Sequence, residues 1–191
     1  MAKNLEYVMN KKNLNYLLFF LFFLTFSCVS GNEDIKLIEK VSNTGITLSE
    51  KDFTDSGFKI NKNYDISELT NAISAVYGWK NIGEEETKDF EIRIYDSHEN
   101  AVNFGKSFAD EATGEDAIIR KRDASWKEGI KDRRTISTPT DGGSIGAAIG
   151  SNSSPKYGDY IIYENLIILC EGHKSEESLR RCTLLVESIQ K

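Results

Sequence analysis

The residues that could do chemistry are concentrated in a glycine-rich stretch, where residues 142–146 match the pattern G-x-S-x-G around Ser144. In α/β-hydrolases this pattern places a serine nucleophile on a sharp turn between a strand and a helix. A Thr-Pro-Thr-Asp segment precedes the pattern and a serine- and glycine-rich run follows it, so neither flanking element is predicted. The two histidines, His98 and His173, have no identifiable acidic partner. The sequence holds no complete catalytic constellation, and we expect a protein that is not an enzyme.

Patterns that bind metals or cofactors are missing from the sequence as well. Three consecutive carboxylates, Glu84, Glu85 and Glu86, point in different directions unless a loop folds around an ion, so they indicate a solvated connection. The phosphate-binding pattern G-x-x-x-x-G-K-[ST] and the dinucleotide pattern G-x-G-x-x-G do not occur. We therefore expect no metal site and no cofactor.

The stretch of residues 120–134 is strongly basic, with seven Lys and Arg against three Asp and Glu. One interpretation is an anion-binding site at Lys131, Arg133 and Arg134, next to the glycine-rich loop of residues 141–154. Contact with anionic lipid headgroups would use the same charges. The competing interpretation is a solvated face whose cations pair with the protein's own carboxylates.

The first 27 residues have the form of a signal peptide. Lys3, Lys11 and Lys12 precede an apolar run of ten residues, Leu17–Phe26. The core of a signal peptide has about 7 to 15 apolar residues, whereas a membrane-spanning helix needs about 20. We therefore predict export with removal of residues 1–27, and an uncleaved single-pass anchor is the alternative.

The segment LTFSC, which ends at Cys28, resembles the lipobox of bacterial lipoproteins, because the small residue Ser27 precedes a cysteine at the end of the hydrophobic run. The resemblance implies that Cys28 becomes the lipidated first residue of the mature protein. Residues 28–45 then form a lipidated tether, and residues 46–191 form a single domain. The implied location is the cell envelope, with the domain anchored to a membrane on its periplasmic or outer side. Secretion without lipid is the alternative.

Three cysteines are an awkward number for an exported protein unless one of them carries lipid. With Cys28 assigned to lipid, Cys170 and Cys182 remain, and exported compartments permit disulfides. Their separation does not fit a C-x-x-C redox motif, and no further Cys or suitably spaced His completes a zinc site. We expect a structural disulfide that joins the last helix to the strand before it.

The charge balance and the length restrict the class of protein further. The chain has 191 residues and a formal net charge of -6, and it becomes more acidic when a leader with three Lys and one Glu is removed. An acidic domain argues against nucleic-acid binding, which needs a basic footprint. We expect a non-catalytic module that binds a small ligand or an envelope protein, with an exported hydrolase as the alternative.

Hydrophobic periodicity predicts an α+β fold, with a largely antiparallel sheet of about four to six strands and about three helices packed mainly on one face. Predicted helices cover residues 65–78, 98–112 and 175–190, and predicted strands lie within residues 46–60, 90–95, 117–122, 160–163 and 166–170. This order of elements indicates a mixed domain without repeated β-α-β units.

Two of the predicted strand regions carry specific expectations. The apolar runs YIIY and LIILC form a hairpin around the turn Glu164-Asn165, with Asn165 tolerating the left-handed conformation that such turns require. Because both faces of this hairpin are apolar, it should be central in the sheet. In the strand of residues 90–95, Glu91 and Arg93 alternate with apolar residues, which predicts a half-buried strand.

Overall fold

A six-stranded, largely antiparallel sheet forms the framework of the domain. The computed structural model describes residues 35–83, 87–137 and 152–190. The strand order is β1-β7-β8-β4-β3-β2, and these strands span Val41–Ser42 (β1), Lys59–Asn63 (β2), Ala72–Asn81 (β3), Thr87–Tyr95 (β4), Tyr157–Tyr163 (β7) and Leu166–Glu171 (β8). A separate two-stranded sheet pairs β5 (Arg134–Ser137) with β6 (Asn152–Pro155). Strand β1 pairs in parallel with β7 and the other described pairs are antiparallel, so the predicted α+β class is confirmed.

Helices cover the sheet on both faces. They span Glu50–Asp55 (α1), His98–Asn100 (α2), Lys106–Ala112 (α3) and Ser175–Ile189 (α4), with a π-helix at Ala101–Gly105 and a 3-10 helix at Gly129–Asp132. Helices α1 and α4 pack on one face, where Phe53 and Leu185 share a core with Ile92. The segment from α2 to α3 packs on the other face, where Ala109 shares a core with Ile167. The central strands β8 and β4 are therefore covered on both sides.

The predicted hairpin is confirmed in its register and in its burial. Tyr163 lies opposite Leu166, and Ile161 lies opposite Ile168, as a two-residue turn requires. Residues 166–170 are completely buried. A strand that is apolar on both faces is stable only where both faces are covered, which explains why this run lies at the centre of the sheet.

The helix predicted over residues 65–78 is wrong, because this segment forms a turn followed by β3. Asp65 Oδ1 accepts a hydrogen bond from Ser67 N at 2.9 Å, so Asp65 forms a local Asx-turn and does not cap a helix. Within β3 the side chains alternate, with Val76 in the core beside α4 and Tyr77 in a core on the opposite face. Pairing with β4 and the β-branched and aromatic composition override the helical spacing.

The first of the two short strands predicted within residues 46–60 is also wrong. The charged segment that follows Ser49 forms α1. Asp52 Oδ2 accepts a hydrogen bond from Ser49 N at 2.8 Å, which satisfies a donor at the start of the helix. The second short strand is present, and β2 begins at Lys59.

The strand predicted over residues 117–122 is wrong, since this segment has irregular structure that leads into a turn. Its apolar residues are partly buried without pairing to a neighbouring strand. Of the glycine-rich loop predicted over residues 141–154, residues 141–151 lie outside the described residues, and the last three belong to β6. Strand formation in β6 depends on its partner β5, which periodicity did not predict.

The helix predicted over residues 98–112 is confirmed, with an irregular turn in its middle. Ser97 caps it, because Ser97 Oγ accepts a hydrogen bond from Asn100 N at 3.2 Å. The turn that ends at Gly105 is π-helical. A Cβ atom at Gly105 would lie 2.4 Å from Ile167 Cδ1 and 2.5 Å from the Tyr95 hydroxyl oxygen. Glycine therefore allows this helix to approach the sheet closely.

A disulfide joins Cys170 at the end of β8 to Cys182 in α4, as predicted. The two Cα atoms are 5.7 Å apart, and both residues are completely buried. Closing a loop with a sequence separation of 12 stabilises the fold by about 3 kcal/mol in the chain-entropy model. The bond fixes the last helix to the centre of the sheet.

Part of the segment predicted as a tether, residues 36–45, is attached to the edge of the sheet. Ile162 N in β7 donates a hydrogen bond to Lys40 O at 2.8 Å, next to the β1–β7 pair. The residues from Lys36 onward cluster into one compact unit. Residues 1–34, which contain the predicted signal peptide and Cys28, lie outside the described residues.

The turn between β7 and β8 binds the chain that follows β1. Glu164 has a φ of 54°, so the left-handed residue of the turn is Glu164 and not Asn165 as predicted. Burial alone would raise the pKa of the Glu164 carboxyl, but the hydrogen bonds that it accepts hold the pKa below its usual range. These four bonds, of 2.7 to 3.2 Å, come from Thr44 Oγ1, Thr44 N, Gly45 N and Ile46 N.

Replacing Glu164 with Gln should lower the free energy of unfolding at pH 7 by about 1 to 3 kcal/mol, because an amide NH₂ group then faces N–H donors. A carboxyl with a depressed folded-state pKa contributes stability above its unfolded pKa of about 4.3, and this stability is lost as the pH falls through the folded pKa. The difference between the two proteins should therefore shrink in acid. Urea unfolding at pH 7, 5 and 3 measures it, with exposed Glu187→Gln as control; a difference that is constant with pH would contradict the prediction.

Candidate ligand-binding pocket

A polar cavity lies at the end of the two central strands, where β4 begins and β8 ends. Its volume is about 190 Å³. The first two turns of α4 contribute to one wall, and β5 contributes to the opposite wall. The lining residues are Lys88, Thr135, Lys156, Glu171, Gly172, His173, Glu177 and Arg181. We call this cavity the polar pocket, because most of its lining side chains carry charge or hydrogen-bonding groups.

An ion pair on α4 forms one wall of the polar pocket. Arg181 Nη2 lies 2.6 Å from Glu177 Oε1, and Arg181 Nη1 donates to the Glu171 carbonyl oxygen at 2.9 Å. Glu177 Oε2 accepts a hydrogen bond from His173 N at 2.8 Å. Burial raises the pKa of Glu177, but the His173 N–H group and the charge of Arg181 together hold it below its usual range. Arg181 and Glu177 therefore compensate each other's charge.

A second compensated charge, Lys156, lies on the opposite side of the polar pocket. Lys156 Nζ donates to Asp89 Oδ2 at 2.7 Å and to the Tyr77 hydroxyl at 2.8 Å. The Tyr77 hydroxyl donates to the same Asp89 oxygen at 2.5 Å. Burial, and then the Asp89 carboxylate, raise the pKa of Tyr77 far above its usual value, so Tyr77 remains a donor. Only 12% of the Lys156 side chain is exposed, and its position is fixed by these bonds.

Two charged groups of the polar pocket keep open bonding capacity. Asp89 N donates to Glu171 Oε2 at 2.8 Å, and the second carboxylate oxygen of Glu171 has no bonding partner among the described residues. Lys88 Nζ has neither a hydrogen bond nor an ion pair with any residue that the structure describes. The pocket therefore presents one ammonium group and one carboxylate oxygen that a ligand can bind.

The three cations of the sequence-predicted anion site lie in different environments. Lys131 pairs with Glu128 at 2.6 Å. Arg133 is completely buried, and its Nη1 lies 2.8 Å from Glu111 Oε1. Arg134 is exposed. Because Arg133 is enclosed and Lys131 pairs with a neighbouring carboxylate, this geometry favours the competing interpretation, in which the cations pair with the protein's own acids.

The catalytic candidates of the sequence are not brought together in the part of the chain that the structure describes. His98 and His173 lie near opposite ends of β8. His98 Nδ1 is 2.6 Å from the Glu164 carbonyl oxygen, and His173 is exposed at the polar pocket. Ser144 and residues 84–86 lie outside the described residues. Within the described residues, no three or more His, Cys, Asp or Glu side chains are arranged to hold a metal ion.

The charged face of β4 is enclosed, so the prediction of a half-buried strand is wrong. Glu91 and Arg93 are both 0% exposed, and Arg93 Nη2 lies 2.6 Å from Glu91 Oε1. The Trp126 ring centroid is 4.9 Å from the guanidinium carbon of Arg93, and Trp126 Nε1 donates to Asp65 O at 3.1 Å. The segment that contains Trp126 has the composition of a surface loop, and it covers this face of β4. The alternation of charged and apolar residues within β4 cannot predict that a distant segment covers the charged face.

Sequence analysis did not single out the open charges of the polar pocket. Lys88 precedes the apolar part of β4, and Glu171 follows the apolar part of β8. A charged residue at a strand end is a common feature, so this pattern alone does not indicate a site. The two residues line one pocket because β4 and β8 pair across a long stretch of chain, as the bond between Asp89 and Glu171, 82 residues apart, illustrates.

Replacing Arg133 with Met should lower the free energy of unfolding by about 3 kcal/mol or more, because Glu111, whose side chain is only 10% exposed, loses its charged partner. The neighbouring Arg134→Met removes an exposed guanidinium group and is the matched control, with a change within about 0.5 kcal/mol. Urea unfolding at pH 7 measures both values. Equal, small losses in the two variants would contradict the structural role of Arg133.

Among the residues that the structure describes, no helix has both the length and the apolar character needed to cross a bilayer.

Comparison with known proteins places the chain in a family. No curated protein and no solved structure matches the chain. A family described as "Family of unknown function (DUF6810)" matches residues 49–191, a range that includes every residue lining the polar pocket. Because this match covers most of its length, the chain belongs to the DUF6810 family.

Proposed function

We propose that this protein is an exported lipoprotein of the bacterial envelope, held at a membrane through Cys28, whose domain binds a small polar molecule in the polar pocket. Binding, without chemical conversion of the ligand, is the role that we assign to the domain. The proposal has two parts, the location of the protein and the function of the pocket, and different observations support them.

The location is supported by the N-terminal pattern and by the disulfide. The segment LTFSC at Cys28 supports lipid attachment, and the basic residues followed by a ten-residue apolar run support export. The Cys170–Cys182 bond is of the kind that persists in oxidising compartments, whereas the cytosol keeps thiols reduced. A protein with this bond in its core would fold best after export.

The single observation that carries the binding function is the pair of open charges, Lys88 and Glu171, in the polar pocket. Its volume of about 190 Å³ is smaller than the roughly 300 to 1,000 Å³ of pockets for drug-sized molecules, so the ligand has few non-hydrogen atoms. The Arg181–Glu177 and Lys156–Asp89 pairs fix the surrounding side chains. A pocket with a fixed wall loses little conformational entropy when the ligand binds.

Intact-mass measurement of the protein from its native membrane fraction tests the location. The expected mass is that of a chain beginning at Cys28 with added acyl groups, and reduction of Cys170–Cys182 should add two hydrogen atoms. Cys28→Ser should remove the acyl mass and release the domain from the membrane fraction, whereas Cys182→Ser should leave the acyl mass in place. A full-length chain without added mass would contradict lipid anchoring.

A thermal-unfolding screen of the protein purified from its membrane fraction in detergent tests the binding function. Small acids, amines, amino acids and sugars are the probes, and at least one should raise the unfolding midpoint, because a ligand at 100 times its Kd adds about 2.7 kcal/mol of stability. The double variant Lys88→Gln/Glu171→Gln should lose this effect. The matched control Arg134→Gln/Glu176→Gln removes the same charges at exposed positions outside the pocket and should keep it. An absent shift, or a shift that both double variants retain, would contradict the proposed function.

A further inference from the structure

The two open groups of the polar pocket have opposite charge and do not pair with each other. We propose that the polar pocket binds a small zwitterion, a molecule of amino-acid size whose anionic group binds Lys88 and whose ammonium group binds Glu171. This inference rests on the proposed function and adds the chemical class of the ligand.

Lys88 is the cation that remains available in the polar pocket. The other two basic side chains that line it are already paired, Lys156 with Asp89 at 2.7 Å and Arg181 with Glu177 at 2.6 Å. Among the described residues, none binds the ammonium group of Lys88. A charged donor in a polar cavity forms short, strong hydrogen bonds to anionic oxygens, so the anionic end of the ligand lies at Lys88.

Glu171 supplies the opposite charge. The hydrogen bond from Asp89 N to Glu171 Oε2, at 2.8 Å, orients the carboxylate and uses one of its oxygens. The other oxygen has no hydrogen bond from the part of the chain that the structure describes, and it is available to a ligand ammonium group. The ligand therefore meets a carboxylate whose orientation is fixed before binding.

The register of the central strands explains why these two side chains do not neutralise each other. Phe90 pairs with Cys170 in the antiparallel register, so Lys88 and Glu171 are within one position of each other across β4 and β8. Neighbouring positions project to opposite faces of a sheet. The two side chains therefore leave the sheet on opposite faces, and both reach the polar pocket at the strand ends.

A ligand with a single charge fits this lining less well. A bare anion at Lys88 would share a cavity of about 190 Å³ with the open carboxylate oxygen of Glu171. A bare amine at Glu171 would share it with the open ammonium group of Lys88. Like charges repel in a partly enclosed site, whereas a zwitterion presents an opposite charge to each open group.

Calorimetric titration of the protein purified from its membrane fraction in detergent tests the inference. The zwitterionic probes are glycine, β-alanine and 4-aminobutyrate, in which the distance between the two charges increases in that order. The control probes carry charge of one sign only: acetate, inorganic phosphate and methylammonium. At least one zwitterion should bind at least tenfold more tightly than any control probe, because it makes two charge-assisted hydrogen bonds instead of one.

Single variants assign each end of the ligand to its residue. Glu171→Gln and Lys88→Gln should each weaken binding of the zwitterion about tenfold or more. Glu171→Gln should strengthen the weak acetate binding, and Lys88→Gln should strengthen methylammonium binding, because each variant removes a like charge from the cavity. Arg134→Gln and Glu176→Gln are the matched controls, because each removes one charge at an exposed position near the pocket. Both controls should bind the zwitterion like the wild type.

The possible outcomes separate this inference from the function on which it rests. Acetate or phosphate that binds as tightly as the best zwitterion would overturn the inference and leave a ligand-binding pocket in place. Zwitterion binding that neither Glu171→Gln nor Lys88→Gln weakens would overturn it too, because the ligand would lie elsewhere. Failure of all probes here and in the thermal screen would instead remove the proposed binding function itself.

Discussion

Burial of the Glu91–Arg93 ion pair is the constraint on which this side of the sheet depends. Two charges that leave water are tolerated only when partners replace the solvent, and loss of one partner costs more than the pair contributes. The chain between α3 and β5 covers the pair, with the Trp126 ring over Arg93 and a second ion pair between buried Arg133 and Glu111. A segment with the composition of a surface loop thus covers this face of the sheet, as a helix does elsewhere in the domain.

The same row of side chains leads from this buried interior to the polar pocket. Arg93, Glu91 and Asp89 occupy alternate positions of β4 and share one face of the sheet. The first two are enclosed, whereas the Asp89 side chain is 28% exposed and bonds to Lys156 at the pocket. Each of these three charges has a partner within the protein. Next to the end of this row, Lys88 and Glu171 keep the open bonding capacity of the polar pocket.

Local patterns in the sequence predicted those elements whose stability is decided locally or by continuous burial. The 160–170 hairpin, the Ser97-capped helix and the Cys170–Cys182 bond follow from apolar runs, a cap and compartment chemistry, and the structure confirms all three. The segment of residues 65–78 was mistaken for a helix because spacing cannot report the pairing of β3 with β4. The polar pocket was not predictable for the same reason, since its walls come from distant parts of the chain. The predicted anion site includes Arg133, and local charge does not report that this side chain is enclosed.

The attachment of residues 36–46 gives the domain a defined path for mechanical force. The chain enters through β1, which is held by its pairing to β7 and by the bonds of the following residues to the Glu164 carboxylate. All of these contacts are non-covalent, whereas the Cys170–Cys182 bond holds α4 to the sheet. If a lipid at Cys28 anchors the chain, tension from the membrane acts first on the contacts before β1, where Ile38 N donates to Thr183 Oγ1 and Lys40 pairs with Asp159, and then on β1 and the Glu164 turn. The polar pocket lies at the far end of β8 from that turn, so the load enters the domain away from the residues that would bind a ligand.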